Sequence, residues 1–571
     1  MRRLAAAAAI IAGVALSAAT DVPPSRRLRR KRNSYSVLLY SHAAGSVGSV
    51  GIAAMTDATQ AAAQALDAIY GVNVRSAIPE IGVVFISGPP NSAAIIKRRV
   101  GQRVKAVLPT MVFSSPVVRP VPSSFINGTG SGASLVSSEG SRDGNPGRTL
   151  SVVDEPDYRP LQWSRVAMDA DRAFNAGLKG GGKRPARVAV IDEGFWLDHP
   201  SIAHYNKELS FNFVPGEELM FNPKRSSDRD LSHGTHTSSI LAGRDLSGHG
   251  TLGIAPEADL VLLKGLSDGG YGEDLGVMTA IKYAVEKGVD IISLSLGGVV
   301  DRRGQEDDPY TDYDESLTPE EAAAYIDMWT AITGYAYRKA TTICRLADCA
   351  GCKLAKANTH PPHPPPPNPP KLDLKGVTII ASAGNDRADL DKTNPNKVYI
   401  LADLPHVIAV SATGPIFWGR DQATNLDRFV TGYSNYGAPI DLAAPGGNIA
   451  AAYRDFNATC RVPLGEGRAA LELRCYEFDA VLSACCSASA TFPRAQYRRA
   501  TRYAWLAGTS MAAPHAAGVA ALIVAKRGAR VAPDKLFAYL QQCADDRGLA
   551  GKDRRFGYGR VSAGKVVDLV F

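Results

Sequence analysis

The segment Gly508-Thr-Ser510-Met-Ala-Ala-Pro-His515 sets a serine among small residues at the mouth of an alanine-rich stretch running to about residue 526. Small neighbours let another backbone come close. The unpaired N–H groups and dipole of a helix N-terminus favour the negative charge that forms when a hydroxyl oxygen attacks a carbonyl. Such a serine needs a base to take its proton. His233-Gly-Thr-His236 stands just before Ile240 and Leu241, which can pack a helix onto a sheet, and Arg187-Val-Ala-Val-Ile-Asp192-Glu-Gly194 ends an apolar run in a carboxylate able to orient a histidine. Each window alone has a plainer explanation: Ser510 as a helix N-cap, Asp192 as a turn residue, His233 and His236 as a metal pair. No Glu follows His233 in the manner of zinc-hydrolase helices. Taken together, a carboxylate, an imidazole and a hydroxyl, each at an expected strand end or helix start, are the parts for acyl transfer through a covalent intermediate.

Those residues need a scaffold that brings distant strand ends together. Val188 to Ile191, Leu260 to Leu263, Ile291 to Leu294, Val377 to Ile380 and Val407 to Val410 are short, continuous apolar runs of the kind buried on both faces of a parallel sheet. Val277, Ile281, Ala284 and Val285 form a helical stripe between two of them. The pattern predicts an α/β domain over residues 161–571, doubly wound around a mainly parallel sheet, with active residues at strand C-terminal ends. Residues 301–372, which contain a helix opened by Thr318-Pro-Glu-Glu321 and a proline tract, and residues 448–504 interrupt the rhythm and read as surface insertions.

Upstream, Arg2 and Arg3, an apolar stretch from Leu4 to Leu16 and the small residues Ala18 and Ala19 make residues 1–20 a secretory leader. A basic linker follows at 21–33. Residues 34–113 read as a small α+β module, with strands at Tyr35 to Tyr40 and Val83 to Ile86 and an extended end from Val104 to Phe113. Its first helix is expected to open at Asp57 and Gln60 and to face the core with Ala62, Leu66, Ile69 and Tyr70. Residues 114–160, rich in Ser, Gly and Pro, form an exposed and easily cut linker.

The octet around Ser510, with the Asp192 and His233 windows in the same chain order, resembles the subtilisin-like serine protease family over about residues 160–571. That resemblance implies an Asp192–His233–Ser510 triad and a side-chain amide from Asn385, in Ala381-Ser-Ala-Gly-Asn385, at the oxyanion. It implies that Ser295, Leu296 and Gly297, in Ser293-Leu-Ser-Leu-Gly-Gly298, line one edge of the substrate groove and Gly270 with Tyr271 the other, so that substrate enters as an added strand. Phe429 to Gly437, Ala444-Pro-Gly446 and Gly557 to Val561 match further landmarks of the family. One departure stands out: the family usually has Ser or Thr after its aspartate, and this chain has Glu193. The small module resembles the family's inhibitory propeptide, removed by cleavage between Phe113 and Pro160. The implied protein is a secreted, monomeric serine endopeptidase made as a zymogen. Its partners are polypeptide substrates and its own propeptide, and no cofactor takes part in its chemistry. Structural calcium is common in the family, but no ligand set matches it here.

Composition sets outer limits. A balance of 45% hydrophobic and 21% charged residues over 571 positions is that of a soluble globular protein. The net charge of +8 owes much to the run Arg26 to Arg32, which argues against nucleic acid as a partner, and no stretch after the leader is long and uncharged enough to cross a bilayer. Eight cysteines fit an oxidising compartment. Their clustering predicts pairing within Cys460, Cys475, Cys485 and Cys486, and within Cys344, Cys349, Cys352 and Cys543, with the adjacent Cys485 and Cys486 not bonded to each other. Cys344, Cys349, Cys352, His360 and His363 also have metal-like spacing, but secretion favours disulfides. Asn127-Gly-Thr and Asn457-Ala-Thr are glycosylation sequons.

Overall fold

The structure is a computed structural model that describes residues 29–39, 49–100, 104–114, 134–135, 157–226, 231–244, 248–304, 317–338, 376–391, 396–464, 470–486 and 502–571. The leader, Asn127, Cys344, Cys349, Cys352, His360 and His363 lie outside the described residues.

The N-terminal module consists of β1 (Arg29–Leu39), α1 (Ser49–Asp67), β2 (Asn73–Ile78), β3 (Val83–Ser87), α2 (Ser92–Val100) and β4 (Val104–Ser114), with its strands ordered β2-β3-β1-β4 and all paired antiparallel. Three features differ from expectation. Strand β1 extends back into the basic run, where Arg29 pairs with Val112 and Arg30 with Met111; ladder pairing uses backbone groups, so a charged composition does not forbid it. Helix α1 opens at Ser49 and ends at Asp67, so Asp57 sits inside it, and Tyr70, beyond its end, is fully exposed. Strand β2 goes unseen in the sequence because only Ile78 in it is fully buried, leaving no apolar alternation.

In the C-terminal domain β6 (Arg187–Asp192), β7 (Phe211–Asn212), α3 (His233–Ala242), β8 (Asp259–Lys264), β9 (Tyr271–Glu273), α4 (Asp274–Glu286) and β10 (Ile291–Leu294) are followed by β11 (Gly298–Asp301), α5 (Pro319–Arg338), β12 (Thr378–Ser382), β13 (Lys397–Ile400), β14 (Val407–Thr413) and β15 (Leu442–Pro445). A nine-stranded sheet carries β15-β14-β12-β10-β6-β8-β7 as a parallel succession. From β6 the chain builds outward through β8 on one side and from β10 through β12 and β14 on the other. The crevice at this reversal, at the strand C-terminal ends, is where doubly wound sheets place their sites. Each strand feeds two cores: Val188 and Val190 face one layer, Ala189 and Ile191 the other.

The longest buried helix is α6 (Thr509–Arg527), in which every side chain from Thr509 to Val524 is buried. Its alanines and Gly518 let it lie close to its neighbours; a Cβ on Gly518 would stand 2.6 Å from Ile254 Cβ.

Both insertions enter the core. Helix α5 is opened by a reciprocal capping box, Thr318 N–H to Glu321 Oε2 at 3.0 Å and Glu321 N–H to Thr318 Oγ1 at 3.2 Å. It buries Tyr325, Met328, Trp329 and Ile332 in the same cluster as α4 and the N-terminal module. The second insertion buries Phe478 beside Trp418 and Trp163, and Asp479 accepts the N–H groups of Phe417 and Trp418. Residues 134–135, inside the expected linker, form β5 and pair with β17 (Ala470–Arg474), whose hairpin partner is β16 (Thr459–Pro463).

Cys460 is bonded to Cys475 across the end of that hairpin. Cys485 is bonded to Cys486, the pairing that the sequence argument excluded. Both sulfurs belong to one small buried cluster with Leu231 and Ala504, where no other described cysteine reaches them. Cys543 is bonded to no described cysteine and lies buried, which pushes its thiol up to about 12.

Candidate active site

Asp192 is the last residue of β6 and is fully buried. His233 is the first residue of α3, whose N-cap is Ser232; the Ser232 hydroxyl accepts the N–H of Thr235 at 3.0 Å. The imidazole Nδ1 meets Asp192 Oδ1 at 2.8 Å. The other carboxylate oxygen accepts the Thr237 hydroxyl at 3.0 Å, and the backbone N–H of Glu193 donates to Oδ1 at 2.8 Å. Thr237 was not singled out from the sequence, although its place one turn after His233 puts it on the same helix face. With both oxygens held, the carboxylate fixes the ring's orientation and leaves Nε2 as the atom able to take a proton. Nε2 is buried and has no hydrogen-bond partner among the described residues.

Ser510 is the second residue of α6, after the N-cap Gly508, and so is itself no cap. Its hydroxyl donates to the backbone oxygen of Ser295 at 3.4 Å, while the Ser295 hydroxyl donates to the Ser510 carbonyl at 2.7 Å. In this conformation His233 Nε2 receives no bond from the Ser510 hydroxyl. Asn385 follows β12 and is buried. Its Oδ1 accepts both the N–H and the hydroxyl of Thr509, each at 2.8 Å, which turns the amide nitrogen toward the Gly508 side of the site.

The Asn385 loop is braced by a residue that the sequence marked only as part of a landmark. Asn435, fully buried, donates to Ala383 O at 2.9 Å and accepts the N–H groups of Asp386 and Ala388, each at 2.9 Å. Gly384, at φ +99°, packs against it so closely that a Cβ would fall 2.4 Å from its amide nitrogen.

A buried Asp–His pair thus stands at the end of a central parallel strand, with a serine at the start of a buried helix beside it. The profile of the subtilase family matches residues 183–559. The chain belongs to the subtilase family. It is 24% identical over 413 residues to thermitase of Thermoactinomyces vulgaris, covering 72% of this chain and 98% of that protein. It is 26% identical over 419 residues to halolysin of Haloferax mediterranei, covering 73% of this chain and 55% of that protein. It thus spans nearly all of the first relative and about half of the second. Among solved structures, the epidermin leader peptide processing serine protease of Staphylococcus aureus has the same fold, with a TM-score of 0.57 at 19% identity over 94% of this chain and 98% of that one. Subtilases are serine endopeptidases that need no catalytic cofactor, and this chain is one of them by family.

Of the residues expected on the two groove edges of this subtilase, Leu296 is buried, Gly297 half-buried and Tyr271 exposed. Gly270 adopts φ +79°. β9 is already paired: β4 of the N-terminal module lies antiparallel on it, with Val112 opposite Glu273, Phe113 opposite Gly272 and Ser114 opposite Tyr271. Behind the other edge is a pocket walled by Leu296, Val299, Ala383, Tyr399 and Ile400, with Asp386 as its charged lining residue.

Glu193 is buried beside the pair and accepts the N–H of His233 at 2.6 Å. Burial, followed by the charge of Asp192, raises its carboxyl well above the ordinary range. His236 turns away from His233 and meets Ala504 O through Nε2 at 3.0 Å; burial lowers its pKa to about 3, so it anchors the chain leading to Ser510 as a neutral ring. Among the described residues no group of three or more His, Cys, Asp or Glu side chains is placed to hold a metal ion.

Proposed function

We propose that the chain is a secreted endopeptidase made as a zymogen, acting through Asp192, His233 and Ser510 with Asn385 at the oxyanion. The observation that carries this reading is the bond from His233 to the buried Asp192, which orients Nε2 as a base at the crevice where Ser510 opens α6. His233 Nε2 takes the Ser510 proton as Oγ bonds to the scissile carbonyl carbon. The carbonyl oxygen becomes an oxyanion, held by the Asn385 amide and the Ser510 N–H. The proton passes from His233 to the leaving amine as the C–N bond breaks, and water then repeats the sequence on the acyl-enzyme. Asp192 stabilises the imidazolium in both halves. Substrate lies as a strand between the Gly270–Tyr271 and Ser295–Gly297 edges. Secretion rests on the leader at residues 1–20.

Asn385→Ala is expected to lower kcat by about 10²–10³ with KM nearly unchanged, a scale taken over from the same donor in subtilisin. Progress curves on a small peptide check it; a change confined to KM contradicts the role.

Inhibition by residues 34–113 is supported by β4 lying on β9, an edge substrate would use. Purified full chain should be inactive until cut between Phe113 and Pro160, which N-terminal sequencing alongside activity measurements will follow. Full activity of the intact chain would remove the zymogen assignment.

A further inference from the structure

Asp274 opens α4 immediately after β9, and its side chain is fully buried. Its carboxylate ties together three separate parts of the chain. Oδ2 accepts the backbone N–H of Met111 in β4 at 2.8 Å. Oδ1 accepts the hydroxyl of Tyr325 at 2.6 Å and the indole N–H of Trp329 at 3.1 Å, both from α5 of the first insertion. One continuous apolar cluster surrounds these bonds, with Leu108 and Met111 from the module, Val277 and Met278 from α4, and Tyr325 and Trp329 from α5.

We propose that Asp274, Tyr325 and Trp329 form a latch that grips the main chain of β4 and keeps the N-terminal module on the mature domain after the linker has been cut. This rests on the inhibitory reading of the module given above. A bond to a backbone N–H demands no particular side chain at position 111, but it does demand that the strand sit in this register. Breaking it while the cluster stays closed would strand a buried acceptor and a buried N–H, so departure is slow until strand and helix separate. The rim pair Lys105–Asp327, at 2.6 Å, is exposed and contributes little.

The geometry makes Asp274→Asn selective. A carboxamide has one acceptor oxygen, and two donors from α5 compete for it against one from β4. The carbonyl stays with Tyr325 and Trp329, and the NH₂ group faces the Met111 N–H.

Burial raises the Asp274 carboxyl to about 7. The charged neighbours facing it are few. Glu273, beside it, raises the value further and is held by Arg75 of β2 at 3.0 Å; Tyr325 faces it from α5; Lys105 of β4 is engaged with Asp327, and Lys282 of α4 with Glu80 of the module. When β4 leaves, water reaches Oδ2 and the pKa falls back. Docking therefore takes up a proton: it is firmest below the free-state pKa and weakens as pH rises through about 7.

The test follows the full chain, recording linker cleavage on a denaturing gel and activity in aliquots assayed at one fixed pH, each scaled to that variant's own final activity. Wild type should show a lag between cleavage and activity that shortens from pH 6 to pH 8. Asp274→Asn and Tyr325→Phe should shorten the lag about tenfold at pH 6, the first without further pH dependence, and Lys105→Ala should keep it within about twofold. Tyr325→Phe removes one oxygen and keeps the ring, so it tests the latch even if Asp274→Asn folds poorly. A wild-type lag retained in both latch variants overturns the latch. Activity that rises together with cleavage in wild type, with no lag, likewise overturns the latch, whereas full activity of the uncut chain overturns the inhibitory reading itself.

Discussion

Ser510→Ala is expected to lower kcat on a peptide substrate by about 10⁶, a scale taken over from loss of the nucleophile in subtilisin, and to shift the Tm by no more than about 4 °C. The large effect follows from covalent chemistry: without Oγ no acyl-enzyme forms, and only the oxyanion donors and substrate binding remain. The small one follows from the structure. The Ser510 hydroxyl donates a long bond of 3.4 Å to Ser295 O, whereas the 2.7 Å bond to the Ser510 carbonyl comes from Ser295 and survives the substitution. Calorimetry and single-turnover kinetics check both parts. Labelling by a serine-directed phosphonate should map to Ser510 in wild type and vanish in the variant. Turnover within tenfold of wild type would remove Ser510 as nucleophile.

Asp192→Ala should cost about 10⁴ in kcat, because His233 loses both the group that fixes its ring and the charge that stabilises its imidazolium. Asp192→Asn should recover at least about tenfold of that loss. The Oδ1 site faces two donors, His233 Nδ1 and the Glu193 N–H, so the amide oxygen belongs there. The NH₂ then faces Thr237, whose hydroxyl can accept it while donating to Gly234 O at 3.1 Å. The histidine tautomer is kept and only the charge is lost. Equal activity of the two variants would show that orientation by this residue does not matter; a loss under about 100-fold in Asp192→Ala would remove Asp192 from the mechanism.

The parallel core was legible because strands buried on both faces must be apolar throughout, as Val188 to Ile191 and Ile291 to Leu294 are. The α4 stripe was legible because Val277, Ile281, Ala284 and Val285 recur at helical spacing, and all four are buried. Strand β2 and the start of β1 were not, since main-chain pairing leaves no mark on side-chain composition. The insertions were misjudged for another reason. An apolar helix such as α5 shows that something covers it, but not what does, and here it is the N-terminal module. The Cys485–Cys486 bond was excluded on local geometry alone, whereas in the folded protein both sulfurs are enclosed together.

By itself, the sequence determined the fold class, the family, and which carboxylate, imidazole, hydroxyl and amide could serve one reaction, because those depend on residue type and on strand and helix ends that local patterns mark. Only the tertiary structure decided what surrounds them. Thr237 on the second oxygen of Asp192, Asn435 bracing the Asn385 loop, Glu193 on the His233 N–H and Asp274 joining β4 to α5 each depend on atoms brought within hydrogen-bond reach by packing. A polar side chain in a sequence carries no sign of which distant donor or acceptor will satisfy it. That choice is made when the core closes and burial obliges every such group to find a partner.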